Sequence, residues 1–372
     1  MEQVVQEEQI FQEPQIKLPL ELKGRWVRFK EKIDYSKANC NVIIGGKETG
    51  KSALNENLAT HYVESSSGCK IFDLFGSRDN EGLAWCRSPY KDGVLLVAGD
   101  SVDISSSWDY KHLHDLRFSD FEKYKVIITV PAFYSNLKEE YHGIGTLVDL
   151  LWKRTSWTSV WYLLIRETAN LIYSRLVIGD NQAEAKAYLI YILREARHVG
   201  FAVGADAIRY MSVDIDLRHL ADYTFLKAVG AEGLPDSLKW LYHYFKPLSL
   251  MRMPTNRFVV VSRRGTIGRG KFECPPWHKK EKEDLLRLLN ISLDRGEPVD
   301  YGDQGKVGDF EHADIVRQRA EGRSYRELAQ SVKRSPRTVN VHVLEHNNAI
   351  KSLGSCERCK RVKSPMEKVI VA

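Results

Sequence analysis

The sequence has few cysteines and no long apolar run. Its six cysteines are spread over 372 residues, and only Cys356 and Cys359 lie close together. Such sparse cysteines exclude a disulfide framework and predict a reducing compartment. The longest apolar runs, such as residues 160–165, are far shorter than the roughly 18 residues that a membrane-spanning helix needs. The first ten residues are acidic and polar, unlike a signal peptide. We therefore expect a soluble, cytoplasmic protein with no membrane span.

Extreme composition is also lacking, since 43% of residues are hydrophobic and 28% are charged. These values exclude collagen-like, coiled-coil and wholly disordered chains. The charge is nevertheless divided unevenly. Residues 306–372 contain 14 Lys and Arg against 8 Asp and Glu, whereas residues 1–305 contain 41 of each. A basic terminal module on a neutral body predicts an appendage that binds a polyanion, with a solvated tail as the alternative.

Short apolar runs alternate with helical stretches over most of the chain. Several runs show no in/out alternation, which is typical of strands buried on both faces of a mostly parallel sheet. This pattern predicts an α/β domain. The predicted strands are residues 41–44, 70–74, 94–97, 126–130, 160–165, 200–203, 223–226 and 257–261. The predicted helices include residues 147–154, 181–197 and 236–245.

One motif is specific for phosphate. The segment GGKETGKS matches G-x-x-x-x-G-K-[ST], in which glycines let backbone N–H groups surround phosphates. Lys51 would reach the β- and γ-phosphates and Ser52 would hold Mg²⁺. Leu54, Leu58 and Tyr62 would line one face of the helix that follows. The motif predicts an ATP–Mg²⁺ site, and its residues are Gly45, Gly46, Lys47, Glu48, Thr49, Gly50, Lys51 and Ser52.

An ATPase also needs an acid at the end of a neighbouring strand. Glu167 is the best candidate because it follows the apolar run 160–165 almost directly. Arg166, however, stands where the usual pair has its Asp. Asp73, near the end of another predicted strand, is a candidate for a second carboxylate. Either acid is alternatively a structural or surface residue.

Beyond the phosphate loop, two stretches resemble the FtsK–HerA superfamily of DNA-pumping ATPases. They are residues 166–171 (RETANL) and residues 193–209, which include LREARHVGFAV. The chain is most similar to the short versions of archaeal viruses and plasmids, including genome-packaging ATPases. The resemblance covers about residues 24–290 and implies a RecA-like sheet, double-stranded DNA as partner and a homo-oligomer, in this family a hexameric ring.

The resemblance also implies roles for two arginines. Arg197 precedes a glycine-led strand and matches the arginine that approaches a neighbouring subunit's nucleotide. It is alternatively a cation that favours the C-terminal end of its helix. Arg209 matches the arginine of the sensor motif, while Ile208 stands where that motif has Gln. Zot-like phage-assembly ATPases are a weaker match, because they usually carry a membrane span.

Two segments are candidates for DNA contact. Residues 262–271 contain Arg263 and Arg264 in a glycine-rich turn, which would follow a phosphate backbone or be a solvated hairpin. Residues 309–350 have the pattern of a helix-turn-helix, with Ser324 and Glu327 as a capping box for the second helix. A protein-docking module is the alternative. The predicted DNA-contacting residues of the module are Arg334, Arg337, Thr338 and Asn340.

The third helix of this module begins with Ser335 as cap and Pro336 at its first position. Residues predicted to pack inside the module are Ile315, Val316, Ala320, Leu328, Ala329, Val332, Val339, Val343 and Leu344. Cys356 and Cys359 follow, and a lone C-x-x-C is half of a zinc site. His342 and His346 or a second chain would complete it; alternatively, the two histidines simply belong to the third helix of the module.

Five segments summarise the predicted organisation. They are a polar arm (1–23), a P-loop ATPase domain (24–290), a linker (291–308), a helix-turn-helix domain (309–350) and a basic tail with CxxC (351–372). The favoured function is an ATP-driven motor that moves double-stranded DNA for a virus or plasmid. The alternative is an ATP-switched DNA-binding regulator or partition protein with little hydrolysis.

Overall fold

The computed structural model describes residues 20–23 (backbone only), 33–154, 158–173, 180–230, 233–296, 307–332, 334 and 336–371. The strands are β1 Leu20–Lys23, β2 Cys40–Ile44, β3 Ile71–Phe75, β4 Val94–Ala98, β5 Val102–Ser105, β6 Tyr110–His112, β7 Val126–Ile128, β8 Trp161–Ile165, β9 Phe201–Ala207, β10 Tyr223–Leu226, β11 Arg257–Ser262, β12 Ile267–Phe272 and β13 Ser292–Arg295. The helices are α1 Lys51–Ser65, α2 Phe118–Lys123, α3 Leu137–Trp152, α4 Asp180–Val199, α5 Ile215–Leu220, α6 Pro247–Met251, α7 Leu285–Leu288, α8 Asp309–Ala320, α9 Tyr325–Ser331, α10 Pro336–Leu353 and α11 Glu357–Arg361.

Within the described residues, eleven strands form one sheet in the order β1-β12-β11-β10-β2-β9-β8-β3-β7-β4-β6. All pairs from β10 to β6 are parallel, whereas β11, β12 and β1 add antiparallel strands at one side. The predicted α/β class with a mostly parallel, RecA-like sheet is confirmed. The carboxyl ends of β2, β9, β8 and β3 lie side by side at one edge, which is where the site is built.

Both faces of the sheet are covered. Val42 and Ile44 belong to an apolar cluster with α3 and α4, while Ile43 belongs to a second cluster with α1 on the opposite face. The strands therefore read as continuous apolar runs because neither face meets water. Leu54 and Leu58, predicted to share a face of α1, are both completely buried.

Helix α1 is fixed to the sheet by a buried polar contact. Asn55 donates to the Gly204 carbonyl (3.0 Å) and accepts from the Tyr162 hydroxyl (2.8 Å). A Cβ atom on Gly204 would lie 1.9 Å from the Asn55 oxygen. Glycine is required there because the helix side chain contacts the backbone of β9 directly. This contact sets the position of the P-loop helix over β8 and β9.

Each predicted strand corresponds to a strand of the sheet, but several edge strands were not predicted. Residues 236–243 form a 3₁₀ helix rather than the predicted α-helix. Ser292–Arg295, at the start of the predicted linker, is strand β13 and pairs with β5 in a separate two-stranded sheet. Among the described residues, no helix combines the length and apolar character needed to cross a membrane.

Helices α8, α9 and α10 occupy the range predicted for the helix-turn-helix. Ser324 and Glu327 form the reciprocal capping box at the start of α9, and Val339 and Val343 are buried. Two predicted inward residues are instead exposed, Ala320 and Leu344. Ala320 ends α8, and Leu344 lies on the side of α10 that faces away from α8 and α9.

Candidate nucleotide site

The P-loop leaves the carboxyl end of β2 and leads into α1. Its backbone is fastened to two neighbouring strands, since Gly45 N–H donates to the Ala207 carbonyl (3.2 Å) and Gly46 N–H to the Ala228 carbonyl (2.7 Å). The Lys51 ammonium is largely buried and donates to the Gly46 carbonyl (2.9 Å). The loop therefore presents a buried cation and the N-terminal end of a helix, which together favour a phosphate.

Two glycines of the loop are required by close neighbours. A Cβ on Gly45 would lie 2.5 Å from the Lys227 Cβ, and one on Gly50 (φ 80°) would lie 2.9 Å from the Thr255 carbonyl oxygen. Lys227 is itself buried, and its ammonium donates to the carbonyls of Thr255 (2.5 Å) and Arg257 (2.8 Å). Burial lowers the pKa of Lys227 to about 7. Lys227 thus supports the loop and does not point at a phosphate.

Arg166, directly after β8, is the centre of a buried ion cluster. Its guanidinium donates to both Asp73 oxygens (2.6–3.0 Å) and to Glu56 (2.8 Å), and it lies 3.2 Å from the Glu81 carboxylate. The Trp85 indole N–H donates to Asp73 as well (3.0 Å). Asp73 is therefore paired on both oxygens, which argues against its predicted role as a free catalytic acid.

Asp206, near the end of β9, is a buried carboxylate opposite Ile43 of β2, two residues before the P-loop begins. It is completely buried and accepts the Glu167 backbone N–H on Oδ1 (3.0 Å), while Oδ2 has no hydrogen-bond donor among the described residues. Burial raises its pKa to about 7. The negative charges of Glu81 and Glu167 add to the rise, and Lys51 and Arg166 oppose it. An acceptor left open beside a buried lysine suits a Mg²⁺ ion, its water or a phosphate proton.

Glu167 occupies a strained position beside Asp206. Its φ of 41° lies in the left-handed region, which is uncommon for a residue with a side chain. Within the part of the chain that the structure describes, its partly buried carboxylate has neither a hydrogen bond nor an ion pair. Strain of this kind concentrates at functional sites. The predicted catalytic role of Glu167 stays a prediction, and this geometry supports it.

Of the two arginines implied by the resemblance, Arg197 lies away from this cluster, whereas Arg209 lies three residues after Asp206. Arg197 is half-exposed near the end of α4 and pairs with Asp222, which also accepts the Cys40 N–H (2.9 Å). Asp222 and Cys40 precede or begin strands, so Arg197 lies at the amino edge of the sheet, opposite the P-loop. Arg209 is exposed two residues after β9, next to exposed Ile208.

The predicted DNA-contacting residues have different surroundings. Arg263 and Arg264 are exposed in the turn between β11 and β12. Arg334 forms a two-point ion pair with Glu311 (2.7 and 2.9 Å). Asn340 is exposed on α10 and Thr338 is half-buried, whereas the Arg337 side chain lies outside the described residues. Cys356 and Cys359 are buried and lie beside His346, whereas His342, the other histidine proposed to complete a zinc site, is not in their group.

Sequence reasoning missed three acids of the site: Glu56, Glu81 and Asp206. Glu56 lies on the predicted α1 helix, so its five-residue spacing from Lys51 was visible without indicating an inward direction. Asp206 lies within residues 193–209, where the resemblance implies roles only for Arg197 and Arg209. Its role depends on β9 lying between β2 and β8, a pairing that the linear pattern does not give.

No protein-family model matches this sequence, and no curated protein is significantly similar to it. Several solved structures show some likeness. One is the genome-packaging NTPase B204 of Sulfolobus turreted icosahedral virus 2 in complex with AMP, which is 16% identical. The match covers 65% of this chain and 96% of B204, with a TM-score of 0.37. The cytoplasmic domain of the type VII secretion ATPase EccC of Thermomonospora curvata is 11% identical. The match covers 67% of this chain and 25% of EccC, with a TM-score of 0.36.

A third structure is the pCW3 conjugation coupling protein TcpA with ATPγS, which is 13% identical. The match covers 68% of this chain and 66% of TcpA, with a TM-score of 0.39. The first protein is described as an NTPase, the second as an ATPase, and the third was solved with an ATP analogue. Because every one of these TM-scores is below 0.5, the fold class and the site rest on this chain's own strand order and contacts. These define a P-loop nucleotide-binding fold of RecA-like type.

Proposed function

We propose that this chain is a Mg²⁺-dependent ATPase that uses hydrolysis to move double-stranded DNA. The observation that carries the ATPase part is the open, buried Asp206 oxygen at the edge of the sheet where the P-loop and its buried Lys51 begin. Lys51 and the loop N–H groups would bind the β- and γ-phosphates, and Ser52 with Asp206 would hold Mg²⁺ through oxygen and water. Glu167 would orient the attacking water.

The DNA part rests on charge and arrangement. The surplus positive charge of the chain lies entirely in residues 306–372, where three helices follow one another in the predicted order. We infer that α10 enters a DNA groove, with Thr338 and Asn340 near its N-terminal end and Arg334 before it. The exposed Arg263 and Arg264 would add contacts to the phosphate backbone.

The same proposal includes a second subunit. Arg197 lies about 20 Å from its own P-loop edge, because the seven residues of β9 separate the two edges of the sheet. A role at a nucleotide therefore requires another copy of the chain, as a ring would provide. The hexameric state, the viral or plasmid context and a cytoplasmic location belong to this proposal as well.

A second candidate function is an ATP-controlled DNA-binding regulator with little hydrolysis. Arg166 favours it, because this cation occupies the position of the usual strand-end Asp and engages Asp73 and Glu56. If Glu167 and Asp206 do not replace that acid, the site would bind ATP and retain it. Both functions therefore use the same nucleotide and DNA sites, and they differ in whether ATP is hydrolysed at an appreciable rate.

The deciding experiment is steady-state ATP hydrolysis by the full chain, with and without long double-stranded DNA of unrelated sequences. Lys51→Ala is expected to lower the rate by about 10²–10³-fold or more, since a phosphate-binding charge is lost. Lys37→Ala, on an exposed lysine of the same unit, is the matched control and should keep the rate. Glu167→Gln should retain ATP and lose turnover.

The outcomes separate the two candidates. Stimulation by DNA of any sequence supports the motor, whereas tight ATP binding without turnover supports the regulator. Deleting residues 306–372 should remove most of the salt-dependent DNA affinity. Unchanged affinity after that deletion would place DNA on the α/β body, where Arg263→Ala with Arg264→Ala would then be the variant to measure.

A further inference from the structure

The C-terminal helices enclose a second buried polar cluster that the nucleotide site does not use. It consists of His312 on α8, His346 on α10, and Cys356 and Cys359 at the start and in the middle of α11. None of the four residues is more than 2% exposed. Apolar side chains from α8, α10, α11 and the C-terminal segment pack around them.

The distances between the ligand atoms fit one metal ion. Cys356 Sγ lies 3.4 Å from His312 Nε2, and Cys359 Sγ lies 3.4 Å from His346 Nδ1. All four atoms lie within 4.8 Å of one another. A tetrahedral zinc ion with ordinary Zn–S and Zn–N bonds would hold sulfur and nitrogen about 3.6 Å apart. The observed spacing is therefore close to that of a filled site.

The outer nitrogens of both histidines are held in the way metal ligands require. His346 Nε2 lies 2.8 Å from the Val369 carbonyl oxygen, so it donates its proton there and turns the Nδ1 lone pair toward Cys359. His312 Nδ1 lies 3.2 Å from His342 Nδ1, which leaves Nε2 facing Cys356. Such second contacts fix the tautomer and the ring orientation of ligating histidines.

We propose that His312, His346, Cys356 and Cys359 bind one structural Zn²⁺ ion. Two thiolates and two imidazoles form a donor set that selects zinc over Mg²⁺ or Ca²⁺. The described part of this module, residues 307–371, is small for a self-sufficient apolar core, and a metal is a common way to stabilise such a unit. The ion would join α8, α10 and α11 at one point.

A consequence follows for α10, and it rests on the proposed DNA-binding function. His346 lies in the middle of α10, so the metal would fix the direction of that helix against α8. Loss of metal should then weaken DNA binding, while ATP hydrolysis without DNA should be unchanged, because Lys51, Asp206 and Glu167 lie in the α/β unit. This difference separates failure of the zinc proposal from failure of the ATPase proposal.

The test is the metal content of the full chain, purified under reducing conditions without chelator and measured by elemental mass spectrometry. We expect about one zinc per chain. Cobalt added to the chelator-treated protein should give the visible bands of tetrahedral Co²⁺ with thiolate ligands. Cys359→Ser and His346→Gln should lose the zinc and these bands, whereas Cys274→Ser and His243→Gln, on exposed residues, should keep both.

Glu345→Gln distinguishes this set from another that shares His312. His312, His342 and Glu345 also lie close enough to hold an ion. Zinc retained in Glu345→Gln supports the four-residue site, and zinc lost there overturns it. Absence of zinc and of cobalt bands in the unaltered chain, with both thiols reduced, also overturns the proposal. A Cys356–Cys359 disulfide in freshly purified protein would do the same.

Discussion

Two neighbouring strands of the sheet, β8 and β9, each end near a completely buried charge, but the two charges have different surroundings. Arg166 after β8 is in contact with three carboxylates, so its charge is compensated by side chains. Asp206 on β9 has one backbone N–H on one oxygen and no donor on the other among the described residues. Each of these three carboxylates has a cation in contact with it in the folded chain, whereas one oxygen of Asp206 is left open.

The first way to break this comparison is to remove the compensated charge. Arg166→Met leaves the Asp73 carboxylate buried without its cation and Glu56 with His278 alone, so we expect the free energy of unfolding to fall by about 3–5 kcal/mol. Urea unfolding followed by circular dichroism measures this loss. A smaller loss for the variant that also carries Asp73→Asn would show that the unpaired carboxylate is the cause.

The matched control for Arg166 is an exposed pair on the same unit. Arg194 and Asp216 form an ion pair whose side chains are about half-exposed. Arg194→Met should therefore change the free energy of unfolding by about 1 kcal/mol at most. If Arg166→Met and Arg194→Met lost the same free energy of unfolding, burial would not make the ion pairs of Arg166 more important than those of exposed Arg194.

The second way is to remove the uncompensated charge. Asp206→Asn should abolish Mg²⁺-dependent turnover and yet make the nucleotide-free protein more stable above neutral pH. The pKa of Asp206 is raised to about 7 in the fold, so its ionisation destabilises the fold as pH rises from about 4 to 7. The free energy of unfolding of the Asn variant should therefore exceed that of the unaltered protein by a growing amount over this pH range, reaching about 4 kcal/mol.

Urea unfolding at pH 4, 6 and 8 without nucleotide measures this effect, with Asp216→Asn as the control on an exposed carboxylate. The control should keep the pH profile of the unaltered protein. Mg²⁺–ATP should stabilise the unaltered protein more than the Asn variant, since the ligand supplies the cation that Asp206 lacks. If the free energy of unfolding changed with pH in the same way for the Asn variant and the unaltered protein, the pKa of Asp206 would not be raised in the fold.

The same contrast explains how much of the molecule the sequence predicts. The strands β2, β3 and β8 are local apolar runs, and the P-loop is a local motif, so both are visible in a short window of sequence. Strand β12 (IGRGKF) alternates glycine with cations, and it forms a strand through its pairing with β11 and β1. Asp206 becomes part of the site because β9 inserts between β2 and β8.

The C-terminal cluster shows the same limit. Cys356 and Cys359 stand out by their spacing, and His346 is near enough in sequence to be proposed with them. His312 lies 44 residues before Cys356 and reaches it only through the packing of α8 against α11. No spacing rule connects them, and an isolated histidine on a buried helix face is more often part of a core than a ligand.

The last prediction extends the comparison from one chain to two. Arg197 lies at the amino edge of the sheet and the P-loop at the carboxyl edge, so a site that uses both must be shared between subunits. Arg197→Ala should lack DNA-stimulated turnover because the neighbouring nucleotide loses its arginine. Lys51→Ala should lack it because the variant's own P-loop loses a phosphate contact. Mixed in equal amounts, they should recover about a quarter of the unaltered rate, because about one interface in four then joins an intact P-loop to an intact Arg197. Mixing Lys51→Ala with Glu167→Gln should recover nothing, since both defects lie in the same half of the shared site. No recovery in the first mixture, with oligomers present, would leave Arg197 as the partner of Asp222 alone.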